Sequence, residues 1–131
     1  MNRNDPHPSE GELAILRVLW AHHGPCSVRD VHTALSRRKD TAYTTVLKMM
    51  TIMADKGLLR RDESERTHLY AAVHPEPVVQ SVLLRDLLRR AFSGSAVQLV
   101  QSAIDTHAAS ADDLDAIAKM IADAKKRRRK E

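Results

Sequence analysis

Cysteine, aromatic residues, glycine and proline are all scarce in this sequence. The single cysteine, Cys26, excludes a disulfide framework and suits a reducing compartment. Aromatic residues make up 3% of the chain and hydrophobic residues 43%, so a core has to be built from aliphatic side chains and methionine. Four glycines and five prolines provide few breaks, which favours helices over a sheet of many strands. The composition therefore predicts a mostly α-helical protein.

Long apolar runs are also missing. No stretch is long enough to span a bilayer, so no membrane insertion is expected. The first ten residues, MNRNDPHPSE, contain no apolar segment after their charges, which is unlike a secretory signal. Together with the lone cysteine, these absences predict a cytoplasmic location.

The sequence contains no motif that is typical of catalysis. A nucleophile elbow, a phosphate-binding loop and paired catalytic carboxylates are all absent, so an enzyme is not expected. The seven histidines lack metal-ligand spacing, and the methionines fall at core spacing, so neither a metal nor another cofactor is predicted. Cys26 and the histidines leave one alternative open, a thiol-responsive or metal-responsive regulator.

The net charge of +4 has a local origin. Residues 125–131, KKRRRKE, carry six basic residues and one acidic residue, and without them the net charge would be −1. Cations at the end of a helix are favoured by the helix dipole, so this tail alone does not indicate a nucleic-acid partner. Residues 29–61 are more informative, because they hold eight basic residues against three acidic ones.

Apolar spacing predicts three helices in the first half of the chain. The first covers residues 10–21, begins at Ser9 or Glu10, and ends before a glycine–proline pair. The second begins with a capping box of Ser27 and Asp30 and ends near residue 36. The predicted buried faces are Leu13, Leu16 and Trp20 in the first helix, and Val28, Val31 and Leu35 in the second.

The third predicted helix begins after Thr41, its expected N-cap, and ends at Gly57, where a C-cap glycine is expected. Its predicted buried stripe is Val46, Met49, Met50 and Met53, spaced i, i+3, i+4 and i+7. The opposite face is polar apart from one leucine and consists of Thr44, Leu47, Lys48, Thr51 and Asp55.

A two-stranded β-hairpin is predicted after the third helix. Residues 58–61 and 68–71 have the composition of short strands, and residues 62–66 form a polar tip between them. The cations of this hairpin are Arg60, Arg61, Arg66 and His68. They either contact a nucleic-acid backbone, which is a sequence-independent interaction, or pair with the acidic residues of the tip. Three helices followed by a hairpin indicate a winged helix-turn-helix.

The second half of the chain predicts three more helices and a separate role. Prolines 75 and 77 mark a boundary, which gives two predicted domains, residues 1–74 and residues 75–131. Ser110 and Asp113 form a further capping box. The apolar faces are too wide for so short a segment to bury on itself, so a second copy of the chain is expected to cover them. The predicted dimerisation residues are Val79, Leu83, Leu87, Leu114, Ile117 and Ile121.

The third helix has the side chains of a DNA-reading helix, whose N-terminal residues face base edges in the major groove. Thr44 and Thr45 offer hydroxyl groups, Tyr43 and Lys48 suit phosphate oxygens, and Leu47 suits a thymine methyl group. An ordinary amphipathic helix with surface threonines would have the same pattern.

Five short motifs occur in order across residues 10–73. They are ELAIL at 12–16, VRDV at 28–31, AYTTV at 42–46, KGL at 56–58, and the pair Arg66 and Tyr70. In this order they resemble the penicillinase-repressor family of the BlaI, MecI and CopY type. The resemblance implies a cytoplasmic transcriptional repressor with a winged-helix domain, which binds a palindromic operator in double-stranded DNA as a homodimer.

The resemblance also implies roles for particular residues. Tyr43, Thr44, Thr45 and Lys48 would read the major groove, the wing would contact the DNA backbone, and the C-terminal helices would dimerise. The full expected DNA-binding set is Tyr43, Thr44, Thr45, Leu47, Lys48, Thr51, Arg60, Arg66, His68 and Tyr70.

Relatives in this family are often inactivated when a membrane sensor-protease system causes cleavage in the penultimate helix. The aligned position here is Ser102-Ala103, which lacks the Asn-Phe pair of the family, and the paired C-terminal cysteines of copper sensors are also missing. A different class of function remains open, a winged-helix protein-interaction module. Such a module would expose apolar residues on the third helix, and only Leu47 fits that description.

Overall fold

The structure is a computed structural model that describes residues 5–130. The described residues form six helices and two strands. They are α1 (Glu10–Ala21), α2 (Val28–Ser36), α3 (Tyr43–Asp55), β1 (Leu59–Asp62), β2 (Leu69–Ala72), α4 (Glu76–Ala91), α5 (Ala96–Asp105) and α6 (Ala111–Arg129). Residues 1–4 and 131, at the outer ends of the two predicted domains, lie outside the described residues. The mostly α-helical winged helix-turn-helix prediction is confirmed.

The core lies where α1, α2, α3 and the hairpin meet, and it is built as the composition predicts. Its buried side chains are Ile15, Leu16, Leu19, Cys26, Val28, Val31, Val46, Met50, Met53, Leu58, Leu59 and Tyr70. Met49 packs against this cluster from its edge. Gly11 leaves room for the Met49 side chain, because a Cβ at Gly11 would lie only 2.8 Å from the Met49 Cε atom.

The buried face of α1 is rotated from the predicted one. Ile15, Leu16 and Leu19 are buried, whereas Leu13 and Trp20 are only half-buried, so the predicted face was wrong at two of three positions. Trp20 stays near the edge because its indole Nε1–H donates to the carbonyl oxygen of His74, 3.0 Å away. An indole N–H needs such a partner, which holds the ring at the margin of the core.

Helix caps agree with the sequence in three of four places. Ser9, Ser27 and Ser110 cap α1, α2 and α6 with reciprocal capping boxes. Thr41 is not the N-cap of α3. That position is Ala42, which has no side-chain capping bond, and the Thr41 hydroxyl donates instead to the Lys39 carbonyl at 3.1 Å.

The end of α3 and the hairpin are arranged by backbone geometry. Gly57 has a φ of 84°, a left-handed conformation that favours glycine, directly after the helix cap. β1 and β2 pair antiparallel, each beginning one residue later than predicted, with Arg61 opposite Tyr70. Cys26 adds an unpredicted bridge, since its backbone N–H donates to Tyr70 at 2.9 Å and its carbonyl accepts from Tyr70 at 2.7 Å.

The chain divides into two compact units, Met1–Leu84 and Arg85–Glu131. This division lies within α4, not at the boundary predicted after residue 74. α4 begins at Glu76, since Pro77 is tolerated in the first turn of a helix, where no intrahelical N–H bond is lost. Over the residues that the structure describes, no helix is both long and apolar enough to cross a bilayer.

Glu12 is a buried carboxylate that joins the start of α1 to the end of α3. It is 6% exposed, accepts the Ser9 backbone N–H at 2.9 Å, and accepts from the Lys56 ammonium at 2.9 Å. Desolvation raises the pKa of Glu12, but the hydrogen bonds from Ser9 and the hydrogen bond and charge of Lys56 outweigh it, so the pKa is lowered. The ionised form is therefore the one that stabilises the fold.

We expect Glu12→Gln to lower the free energy of unfolding by about 1–2 kcal/mol at pH 7, because it removes a charge-assisted bond. A lowered folded-state pKa gives stability above the unfolded pKa that is lost as the pH falls through the folded value. The difference from wild type should therefore shrink below about pH 4. Urea denaturation at pH 7 and pH 3.5 measures this, with Glu10→Gln as the exposed control. An equal loss at both pH values would contradict the assignment.

Candidate nucleic-acid interface

The exposed face of α3 carries a row of polar side chains. Thr44, Lys48 and Thr51 are spaced i, i+4 and i+7, on the side of the helix away from its buried residues. Thr44 and Lys48 are exposed, and Thr51 is half-buried with its hydroxyl donating to the Leu47 carbonyl at 2.8 Å. The Thr51 oxygen therefore remains available as an acceptor. Thr45 is exposed beside this row.

A groove of about 440 Å³ lies between the first turn of α2, the first two turns of α3 and the wing. We define the wing as residues 59–72, the hairpin and its tip. The groove is lined by Ser27, Val28, Arg29, Tyr43, Leu47, Arg66, Thr67, His68 and Tyr70. None of these described lining residues is acidic, so the groove suits a ligand of negative charge.

Tyr43 and Leu47 form the α3 wall of this groove. Their side chains are 43% and 41% exposed, respectively. Leu47, which was predicted on the solvent-facing side of α3, is therefore exposed there. Tyr43 also contacts α2, since its ring lies edge-to-face on the ring of His32, with centroids 5.6 Å apart and planes at 80°. An aromatic contact of this geometry restricts the orientation of the tyrosine ring.

The cations of the wing have different environments. Arg66 and His68 line the groove, and among the described residues no ion pair engages Arg66. Arg61 pairs with Glu63 at 2.6 Å, and a hydrogen bond with Tyr70 followed by the charge of Glu63 raises the pKa of Arg61. Arg61 is thus held within the hairpin, as the paired alternative predicted.

Arg60 and Tyr70, both in the predicted DNA-binding set, belong neither to the polar row on α3 nor to the exposed part of the groove wall. Arg60 pairs with Ala71 across the hairpin, so it points to the face opposite Tyr70, and the structure does not bring it to the groove. Tyr70 does line the groove but is only 2% exposed, because it packs in the core and bridges to Cys26. Because its side chain is buried, Tyr70 packs beneath the wing and does not extend toward solvent.

The contribution of α2 to the groove was not predicted from the sequence. Ser27, Val28 and Arg29 line the groove through the first turn of this helix. Arg29 belongs to the basic stretch of residues 29–61 but is absent from the predicted DNA-binding set. Its position two residues after the predicted capping Ser27, in the first turn of α2, was a usable signal, since helix N-termini are common contacts of phosphate groups.

Cys26 has the environment of a structural thiol. It is fully buried, and desolvation, together with the negative charge of Asp30, raises the pKa of the Cys26 thiol. A raised pKa and burial both oppose the reactive thiolate that a redox sensor requires. Within residues 5–130, no group of three histidine, cysteine or acidic side chains is arranged to hold a metal. The thiol-responsive and metal-responsive alternative thus has no structural support from this site.

The second half of the chain exposes apolar side chains. Neither α5 nor α6 has a buried residue in the single chain. Of the predicted dimerisation set, Leu87, Leu114 and Ile121 are 46%, 39% and 48% exposed, and Leu83 and Ile117 are half-buried. Val79 differs from the rest of this set, because it is 1% exposed and is already covered within its own chain.

The predicted cleavage position lies inside a regular helix. Ser102 and Ala103 are half-buried in α5. The Ser102 carbonyl accepts from the backbone and the hydroxyl of Thr106, at 3.0 and 2.8 Å, and the Ala103 carbonyl accepts from Ala108 at 3.0 Å. The peptide bond between them is therefore held in hydrogen-bonded backbone.

Known proteins resemble this chain in sequence over most of its length and in structure over its winged-helix part. The sequence profile of a family described as penicillinase repressor matches residues 8–123. Two relatives called Transcriptional regulator BlaI, from Mycobacterium tuberculosis strains CDC 1551 / Oshkosh and ATCC 25618 / H37Rv, are each 35% identical over 113 residues, covering 86% of this chain and 80% of theirs. The solution structure of the DNA binding domain of the repressor BlaI aligns with a TM-score of 0.50 and 23% identity, covering 59% of this chain and 93% of that one.

Proposed function

This chain belongs to the penicillinase repressor family, and from that premise we propose that it is a transcriptional repressor, not an enzyme, that binds operator DNA as a homodimer. The observation that carries the proposal is the groove where α2, α3 and the wing present cations and hydroxyl groups without a lining carboxylate. A repressor acts where the chromosome is, so the proposal places the protein in the cytoplasm.

We assign the reading of bases to α3. The exposed Thr44 and Lys48 form one row with the half-buried Thr51, and Thr45 and Tyr43 flank the first turn of the helix. Threonine hydroxyls bond base edges or phosphates, and the lysine ammonium bonds phosphate oxygens. Leu47 would lie against a thymine methyl group, which removes its exposed apolar surface from water.

The wing and the first turn of α2 supply contacts to the DNA backbone. Arg66 and His68 approach the groove from one side and Arg29 from the other. Contacts of this kind fix the register of α3 on the duplex but read no sequence. Arg60 and Tyr70, which the sequence placed in this set, lie outside the proposed contacts because of their orientation and burial.

Arg66→Ala tests the wing contact in a duplex taken from the promoter region of the protein's own gene. Binding should weaken uniformly across related sequences, and the slope of log affinity against log salt should fall by about 1 for each phosphate that the variant no longer neutralises. Fluorescence anisotropy from 50 to 200 mM salt measures the slope. Arg17→Ala, which removes an exposed arginine of α1, is the matched control. An unchanged slope in Arg66→Ala would argue against a wing contact.

The homodimer is supported by the uncovered apolar side chains of α5 and α6. Val97, Val100 and Ile104 are exposed on α5, and Leu114 and Ile121 are exposed on α6. A second copy would bury these surfaces, which a soluble single chain rarely leaves open in contiguous patches. Two linked winged helices would then bind half-sites spaced by about one helical turn or a multiple, with avidity raised by roughly 10²–10⁴-fold.

An inducing signal would release the operator by separating the two copies. A membrane sensor-protease pathway is the form of induction that the family likeness suggests. Cleavage between Ser102 and Ala103 would require α5 to unwind first, because both carbonyl groups are hydrogen-bonded. Ser102 and Ala103 are also half-buried, so a protease would reach this peptide bond only after local unfolding of α5.

A protein-interaction module has less support. Leu47 and Ile52 are both 41% exposed on α3, but they are five residues apart in the sequence. Residues at this spacing do not share a helix face, so they form no continuous apolar patch. Hydroxyl and ammonium groups lie between them, which suits a nucleic acid better than an apolar partner.

A further inference from the structure

The first turn of α3 begins without the side-chain cap that most helices of this chain have. Ala42 occupies the N-cap position and has no side-chain acceptor, so only its backbone carbonyl accepts from the helix, from the amide groups of Thr45 and Val46. Thr41, the neighbouring hydroxyl residue, donates to the Lys39 carbonyl and so does not cap the helix. An uncapped first turn tends to fray, yet this turn carries Tyr43, Thr44 and Thr45.

His32 of α2 contacts both residues that flank Ala42. Its Nε2 atom lies 2.7 Å from the Thr41 carbonyl oxygen, and since a carbonyl only accepts, Nε2 carries the donated hydrogen. Its ring meets the Tyr43 ring edge-to-face at 5.6 Å. One side chain thus fixes the backbone just before α3 and the first side chain of α3. His32 is half-buried and is not among the residues that line the groove.

We infer that His32 is a positioning residue for sequence reading, which holds the first turn of α3 in the orientation that base contacts require. The inference rests on the proposed function. Small displacements of contacting side chains weaken directional hydrogen bonds to bases more than they weaken attraction to phosphates. The loss of His32 should therefore lower affinity for the operator and spare affinity for unrelated DNA.

Three substitutions separate the two contacts. His32→Ala removes both, His32→Phe retains a ring against Tyr43 without a donor, and His32→Gln retains an N–H donor without a ring. We expect His32→Ala to lower operator affinity about tenfold, while affinity for an unrelated duplex of equal length stays within about twofold. His32→Phe and His32→Gln should each recover part of the operator affinity. His23→Ala, an exposed histidine of the loop before α2, is the control.

The ring-proton NMR signals of Tyr43 in the DNA-free protein give a readout independent of binding. They should shift in His32→Ala and His32→Gln, which both lose the facing ring, and stay unchanged in His23→Ala. If His32→Ala weakens operator and unrelated DNA equally, or leaves both unchanged, the positioning role is wrong even when the wild type binds its operator. If the wild type binds no duplex while the Tyr43 signals shift as expected, the proposed function fails and the contact of His32 stands. Circular dichroism establishes that each variant is folded.

Discussion

The double substitution Leu114→Glu and Ile121→Glu is expected to make the protein monomeric and to lower its affinity for the operator by about 10²–10⁴-fold. Both side chains are apolar and exposed on the same face of α6, and the single chain leaves them uncovered. A carboxylate buried against an apolar partner surface loses its hydration without gaining an opposite charge, so the association becomes unfavourable. A monomer would retain the contacts of one half-site only.

Sedimentation velocity and fluorescence anisotropy measure these two effects on the same samples. Ala116→Glu is the matched control, because it adds a carboxylate two residues from Leu114, on the other side of α6. The control should remain dimeric and bind as the wild type does. A double variant that stays dimeric, or a monomeric one with unchanged affinity, would remove the basis for assigning dimerisation to α6.

Substitutions in the exposed row of α3 should have the second-largest effect. Thr44→Ala is expected to cost about 1–3 kcal/mol of binding free energy in each half-site and to relax the preference at one base position. Lys48→Ala should weaken binding more evenly across sequences and reduce the salt slope, because an ammonium contacts phosphate. Both side chains are exposed, so neither variant should lower the melting temperature appreciably.

Competition binding against a set of single-base variants of the operator separates these two effects. Lys119→Ala removes a lysine from α6, far along the chain from the reading helix, and serves as the charge-matched control. If Thr44→Ala and Lys48→Ala both bind every duplex as the wild type does, α3 is not the helix that reads the DNA.

Local signals in the sequence predicted most of the fold. The capping boxes of Ser27 with Asp30 and Ser110 with Asp113 depend on residues three apart, so they can be identified without tertiary information. The left-handed glycine after α3 is equally local. In contrast, the rotated face of α1 depends on the Trp20 bond to His74, and these residues are far apart in the sequence.

The candidate site was predictable in its types of residue but not in its geometry. The register of the hairpin decides which arginine of the pair Arg60 and Arg61 faces Tyr70, and a shift of one residue exchanges the two faces. Tyr70 is buried in the core and its backbone bridges to Cys26, and periodicity does not show contacts between residues so far apart in the sequence. His32 was invisible for the same reason, because its two partners belong to the turn and helix that follow it.

We propose that two copies of this chain bind one operator through paired α3 helices. The most direct test is the mass of the complex at saturation with a duplex of about three helical turns, roughly 30 base pairs, taken from the gene's own promoter region. Sedimentation velocity in low-salt buffer measures that mass. Two chains for each duplex, formed in one cooperative step, is the predicted result. One chain for each duplex, or a protein and duplex that sediment separately, would contradict it.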